Sequence, residues 1–133
     1  MNAFVLDASV CLSWFLTKPD SGPAWAKIDL LDELVPVVPA MWRLEVANVI
    51  ATYVRSRGLL VDSARTMLAE ILSLPVAVID ESPTPTIMQL AIDRGLTSHD
   101  ASYLDVALRS GWPLVTLDRE LLRAASEAGV VVA

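Results

Sequence analysis

The sequence predicts an α/β domain of three layers, α/β/α, with a parallel sheet at its centre. Three observations predict it. Short continuous apolar runs recur along the chain, as strands covered on both faces do. Helical stretches with apolar residues at three- and four-residue spacing separate them. The whole chain, 133 residues with 54% hydrophobic and 20% charged residues, is the length of one domain, so residues 1–133 are read as a single unit.

In order, Ala3–Leu6 is a short β-type run stopped by Asp7, and Ser9 is placed to cap an apolar helix through about Leu16. Lys18–Pro23 is a loop by its breakers. Ala24–Leu34 reads as a helix and Val35–Val38 as a strand edged by prolines. Pro39 suits the first turn of the next helix, Ala40–Arg57, which Gly58 ends. Asp62 caps a helix to about Leu72, and Val76–Ile79 is a buried strand. Pro85–Arg94 is a helix closed by Gly95. Ser98 or His99 starts another that runs to Ser110 before Gly111. Leu114–Leu117 is a strand, Arg119–Ala128 a helix followed by Gly129, and Val130–Val132 a last strand.

Composition excludes several classes. The single Cys11 permits no intramolecular disulfide and no thiolate zinc site, and the single His99 permits no multi-histidine one. The longest apolar runs, Ala8–Leu16 and Val46–Val54, fall well short of the ~20 residues that span a bilayer. The N-terminus has no basic region ahead of an apolar run, so a soluble, cytoplasmic protein is expected. No phosphate-cradling glycine loop is present. The net charge of −6 argues at first against a nucleic-acid partner.

Sites in parallel sheets gather outside the carboxyl ends of the strands. Asp7 follows the first strand and Asp118 the fourth, although both positions also suit helix capping. On the third helix, Trp42, Val46, Val49, Ile50 and Tyr53 form an apolar stripe with Glu45 at its edge, where a carboxylate is costly unless paired, solvated or bound to a cation. Asp100 shares its helical face with Leu104, Ala107 and Leu108, the core side, and Thr97-Ser98-His99-Asp100 also approximates a capping box. Asp105 points away from Asp100 and reads as a solvated surface charge.

Asp7, Glu45, Asp100 and Asp118 can therefore meet at one sheet edge. Two unit charges ~4 Å apart near a protein surface repel by ~4 kcal/mol, so such a cluster calls for a cation. Oxygen-only ligands favour Mg²⁺ or Mn²⁺, and the matching chemistry is metal-assisted phosphodiester hydrolysis. Four acids spent on a metal site also remove much of the electrostatic objection to nucleic acid.

These motifs carry a resemblance. Asp7-Ala8-Ser9, Glu45-x-x-Asn48, His99-Asp100-Ala101-x-Tyr103 and Thr116-x-Asp118-x-x-Leu121 resemble, in order and spacing along the whole chain, the PIN-domain nucleases, and among them the VapC-type toxins of toxin–antitoxin pairs. The resemblance implies a parallel sheet of about five strands, a Mg²⁺-dependent endoribonuclease, a homodimer, and a cognate antitoxin that blocks the site. It assigns Asp7, Glu45, Asp100 and Asp118 to the acidic quartet, with Asp7 and Asp100 as direct ligands. Ser9 and Thr116 match hydroxyl positions beside the metal, and Asn48 matches a partner of the glutamate. His99 stands where such proteins often carry an aromatic residue, which leaves substrate stacking there open.

Other readings weigh less. A receiver domain needs a paired acid at the first strand and a late lysine, but Asp7 follows Leu6 and the last lysine is Lys27. A phosphatase built on Asp-x-Asp fails because Ser9 stands two residues after Asp7. A PIN-like module that binds RNA or a partner without cutting, and a stand-alone PIN nuclease, remain alternatives. Trp14, Trp25, Trp42 and Trp112 read mainly as core. Trp14 and Trp25 flank the Lys18–Pro23 loop and are the better candidates for a dimer or antitoxin groove. Arg43, Arg94 and Arg119 are surface charges, with RNA phosphate contact as the other reading.

Overall fold

The computed structural model describes residues 2–16 and 27–133. The expected Lys18–Pro23 loop, Trp25 and the start of the Ala24–Leu34 helix lie outside them.

Four parallel strands form the sheet: β1 (Ala3–Leu6), β2 (Val35–Pro39), β3 (Ala77–Ile79) and β4 (Leu114–Val115), in the spatial order β3-β2-β1-β4. Ala3 pairs with Val35, Val37 with Ala77, and Val5 with Leu114, which fixes the register across the sheet. The expected fifth strand, Val130–Val132, is reduced to a single parallel bridge between Val132 and Leu114. β1, in the middle, and β4 beside it are wholly buried, as their unbroken apolar sequences require. β3 departs from expectation. It is an edge strand, and its central Val78 is 38% exposed.

Among the described residues, seven helices complete the layers: α1 (Ala8–Leu16), α2 (Leu30–Glu33), α3 (Trp42–Arg57), α4 (Val61–Leu72), α5 (Thr84–Arg94), α6 (Ser98–Ser110) and α7 (Arg119–Glu127). The chain steps one way through β1, β2 and β3, then returns past β1 to β4. Right-handed crossovers therefore place α1, α3 and α4 on one face and α5, α6 and α7 on the other. The packing agrees: α1 and α4 lie on α3, and α6 lies on β1, β2, β4, α5 and α7. The reversal falls between β1 and β4, where a crevice opens outside the strand ends in such sheets.

Several element boundaries differ from the sequence reading for local reasons. Pro39 ends β2 instead of opening a helix, and α3 begins at Trp42 after a turn at Ala40 and Met41. Within the described residues the helix expected over Ala24–Leu34 is one turn, Leu30–Glu33. Asp62 lies inside α4, whose N-cap position is held by Leu60 without a side-chain bond. Ser9 lies inside α1. The residue before α1 is Asp7, whose carbonyl accepts from the Val10 and Cys11 amides. Gly58 and Gly111 do end their helices as expected, both with positive φ, which suits glycine at a helix C-terminus.

Phe4, Val5, Leu6, Trp42, Tyr103 and Leu114 are among the fully buried core side chains. Trp14 belongs to this core rather than to a surface groove, being 6% exposed, while Trp112 packs partly buried against it. Leu104 and Ala107 are buried as expected, but Leu108 is 44% exposed. Asp105 is corrected outright. It is buried, accepting from the Ser82 amide (2.9 Å) and hydroxyl (2.6 Å) and from Arg109 Nε (3.1 Å). Burial raises its pKa, but the Ser82 bonds and Arg109 outweigh burial and hold the carboxyl below its usual range. Arg109 also donates to the Asp80 carbonyl at 2.6 Å, so this ion pair ties α6 to the segment after β3.

Candidate functional site

Asp7 stands at the carboxyl end of β1, 2% exposed. Its Oδ2 accepts from the Ser9 hydroxyl at 2.7 Å and from the Thr116 hydroxyl at 2.6 Å, and its Oδ1 accepts from the Ser9 amide at 3.4 Å. Thr116 follows β4, the strand paired with β1, so the sheet register itself delivers this hydroxyl to Asp7. The Thr116 hydroxyl also accepts from the Asp118 amide at 3.0 Å, and the Leu117 amide donates to Ser9 Oγ at 3.4 Å. Ser9 and Thr116 thus grip one carboxylate from two sides. Burial still dominates and raises the Asp7 pKa, with the Asp118 charge adding to it.

Glu45 comes from the first turn of α3, half-buried, and Tyr103 Oη donates to its Oε2 at 2.8 Å. The same phenol oxygen accepts from the Ala8 amide at 3.2 Å. Tyr103 therefore bridges α6, α3 and the start of α1, and it is the functional side chain that sequence reasoning left without a role. Burial, with the nearby Asp7 and Glu45 charges, pushes its phenol above the usual range and keeps it a donor. Asn48, expected as the partner of the glutamate, lines a cavity beside Glu45.

Asp100 projects from the first turn of α6, whose N-cap Thr97 accepts from the Asp100 amide at 3.1 Å. Thr97 also hydrogen-bonds the Asp100 carboxylate, so the cap and the site position share one residue: Thr97 fixes the side chain while the charges of Asp118 and Asp7 act on it. Asp118 does cap α7, its Oδ1 accepting from the Leu121 amide at 2.9 Å.

The four acids feel one another. Glu45 is harder to ionise than a free glutamate, first through burial and then through the Asp7 and Asp100 charges, against the Tyr103 hydrogen bond and His99. Asp100 is pushed up to about 6 by burial and by the charges of Asp118 and Asp7. Raised carboxyl pKa values on converging side chains mark a place where positive charge would be stabilised. Among the described residues, no three His, Cys, Asp or Glu side chains are grouped so as to hold a metal ion by themselves. An all-oxygen donor set of this kind fits a hard dication that takes one or two carboxylates and completes its shell with water and substrate oxygens. Cys11 is unsuited to nucleophilic work, since it is buried and its thiol is pushed up to about 12 by that burial.

Two cavities flank this cluster. One, of about 470 Å³, is lined by Glu45, Asn48, Thr97, His99 and Asp100 among others. The other, of about 310 Å³, is lined by Ser9, Leu12, Leu16, Glu45, Tyr53 and Leu117 among others.

Comparison with known proteins gives three kinds of likeness. The family model described as PIN domain matches residues 4–127. Ribonuclease VapC3 of Pyrobaculum aerophilum is 33% identical over 121 residues, covering 88% of this chain and 90% of its own. Exonuclease VapC9 of the same organism is 51% identical over 45 residues, a match spanning 34% of each chain. The crystal structure of PAE2754, also from Pyrobaculum aerophilum, superposes with a TM-score of 0.76 at 27% identity, covering 98% of this chain and 83% of that one.

Proposed function

The chain belongs to the PIN-domain family, in its VapC-type branch, and from that premise we propose that it is a metal-dependent endoribonuclease toxin whose activity a cognate antitoxin restrains. The observation that carries the reading is the convergence of Asp7, Glu45, Asp100 and Asp118 at the carboxyl edge of the sheet, with three of them harder to ionise than free carboxylates. Glycoside hydrolysis or aspartic proteolysis would use two carboxylates as acid and base. Three acids around a buried fourth suit a cation and a phosphodiester instead.

Asp7 and Asp100 would hold Mg²⁺ or Mn²⁺, with Glu45 and Asp118 completing the acidic shell. When bound, the cation supplies Lewis-acid stabilisation of the attacked phosphate and lowers the pKa of water. The chain's own residues do the rest. Ser9 and Thr116 use their hydroxyl protons on Asp7 Oδ2, which fixes the carboxylate and leaves Oδ1 with only the long Ser9 amide contact. Tyr103 holds Glu45 in place by donating to Oε2 and leaves Oε1 to accept a proton or order a water. Asp118, fixed by its cap on α7, adds its charge to the field at Asp7 and Asp100. Arg119, exposed beside Asp118, is placed for an RNA phosphate.

The partners follow from the same reading: an RNA substrate, an antitoxin with a basic segment suited to an acidic cleft, and a second copy of the chain. Met88 and Ile92, one turn apart on α5 and 54% and 65% exposed, form an apolar surface that a homodimer would cover. The cytoplasm is its place of work on this reading. Separately, no helix among the described residues is long and apolar enough to cross a membrane.

The test is direct. Protein purified free of any partner should cut RNA from a total cellular pool in Mg²⁺ or Mn²⁺. The activity should vanish on chelation and in Asp7→Asn or Asp100→Asn. Protein that binds Mg²⁺ yet cuts no RNA would end the nuclease reading.

A further inference from the structure

Glu45 and Val49 stand one turn apart on α3, and both line both of the cavities that flank the acidic cluster. They form a shared wall between two compartments that differ in their polar groups. On one side Asn48, Thr97 and His99 add hydrogen-bonding groups to an apolar lining of Met41 and Leu44. On the other, Leu12, Leu16, Tyr53 and Leu117 offer an apolar and aromatic lining. There the polar groups are Ser13, Ser9 and Glu45, and the last two are engaged with Asp7 and Tyr103.

The apolar compartment carries a further mark. The Arg57 guanidinium stacks over the Tyr53 ring, 5.0 Å from its centroid, one turn along α3. In a chain of net charge −6, a cation held against an aromatic ring that lines this compartment is the pairing that single-stranded nucleic acid uses: a second ring face for the base and a charge for its phosphate. At about 310 Å³ the space lies at the low end of small-molecule sites, room for one unstacked base and none for a duplex.

Resting on the nuclease reading above, we infer that the two nucleotides flanking the cleaved bond sit on either side of the Glu45–Val49 wall, with Tyr53 the stacking platform for one base and the Asn48–Thr97–His99 compartment the reader of the other. The asymmetry follows from the linings. A π-face accepts every base, so the Tyr53 side is tolerant of sequence. The polar side discriminates, because hydrogen-bonding groups left unmatched by a wrong base cost binding. RNA cleavage is thus selective on one side of the cut and degenerate on the other.

The experiment uses the full chain, Mn²⁺ and a pool of random-sequence RNA oligomers, with the cut ends sequenced and KM and kcat measured on one good substrate. Tyr53→Leu keeps the apolar packing and removes the ring. It should raise KM about tenfold with kcat little changed and leave the sequence preference as it was. Tyr53→Phe should stay within about twofold of the parent, because stacking needs the ring and not the hydroxyl. His99→Ala should flatten the preference on the selective side.

Binding of a labelled single-stranded oligoribonucleotide in EDTA separates this inference from the nuclease reading. Binding in EDTA that depends on Tyr53, with no cleavage once Mn²⁺ is restored, sinks the nuclease reading and keeps only the Tyr53 platform of this one. Cleavage with an unchanged KM in Tyr53→Leu overturns this inference alone. A Tyr53→Leu variant that cuts normally but escapes the antitoxin also overturns it, and gives the compartment to the antitoxin. A parent that neither binds nor cuts RNA overturns both.

Discussion

Replacing Tyr103 by phenylalanine removes one oxygen and nothing else. The ring is fully buried, and phenylalanine fills almost the same space, so packing is preserved. Two partners are left behind. Glu45 Oε2 loses a 2.8 Å donor, and a hydrogen bond to a charged group contributes about 1.5–3 kcal/mol. The Ala8 amide loses its 3.2 Å acceptor in a residue 1% exposed, and an orphaned buried donor costs about 1–3 kcal/mol. The two effects share one atom and Glu45 is only half-buried, so the sum is an upper bound. A destabilisation of about 3 kcal/mol is expected, or ~12 °C in Tm at about 4 °C per kcal/mol for a domain of this size. Thermal unfolding followed by circular dichroism measures it. A second readout concerns charge. The Tyr103 hydroxyl favours the ionised form of Glu45, so its removal raises the Glu45 pKa further, and activity that needs the carboxylate is lost at a higher pH on the acid side. A Tm within about 3 °C of the parent together with an unmoved acid limb would refute the account of Tyr103 as the residue that holds Glu45.

The remaining expectations rest on the same geometry. Asp7, Glu45 and Asp100 have raised pKa values, so between the free-carboxylate range and about 6 for Asp100 the folded state binds more protons than the unfolded one. Stability in chelator should therefore fall as pH rises through that window. Adding Mg²⁺ or Mn²⁺ at neutral pH should reverse the loss, by about 2.7 kcal/mol at a hundredfold excess over Kd, and calorimetric scans with and without metal would show it. Asp118→Asn keeps an oxygen for the Leu121 amide and should abolish cleavage with little change in Tm, whereas Asp118→Ala should also cost about 1 kcal/mol of helix capping. Equal activity in Asp118→Asn and the parent would reduce Asp118 to a cap. Asp105→Ala strands the Ser82 and Arg109 donors and should destabilise by about 3 kcal/mol in urea unfolding, with cleavage per folded molecule unchanged.

The fold was readable in the sequence wherever a signal was local. Gly58, Gly95 and Gly111 each end a helix where the apolar periodicity stops, and the unbroken Ala3–Leu6 run became a fully buried strand. Legibility failed where the third dimension chose between equivalent local options. Asp and Ser both cap helices, so Asp7-Ala8-Ser9 permits two starts, and β4 beside β1 decided the matter by bringing Thr116 to Asp7. Asp62 looked like a cap and Asp105 like a solvated charge for the same reason. Their surroundings come from distant segments, and for Asp105 the decisive neighbour, Ser82, lies 23 residues away.

The site was legible in its acids and incomplete in its supports. The cost of placing Glu45 beside an apolar stripe already demanded a partner. The signal that could have named it was Tyr103, three residues after Asp100 and so on the same side of α6. A phenol 58 residues from its carboxylate leaves no other mark in one sequence.

Asp7 and Thr116 are 109 residues apart, and the hydroxyl grip between them exists only once β4 has paired with β1. The order of synthesis then becomes a safeguard. A ribosome making this chain delivers Asp7 first, Glu45 and Asp100 next, and Thr116 and Asp118 last. Long-range parallel pairing is also the slowest kind of contact to form. A chain cut short before Leu114 carries three of the four acids but lacks both the strand that pairs with β1 and the hydroxyl that grips Asp7, so such incomplete copies are expected to be inert. The interval between emergence of the last quarter and closure of the sheet is a window in which a restraining partner can reach the protein before it can act.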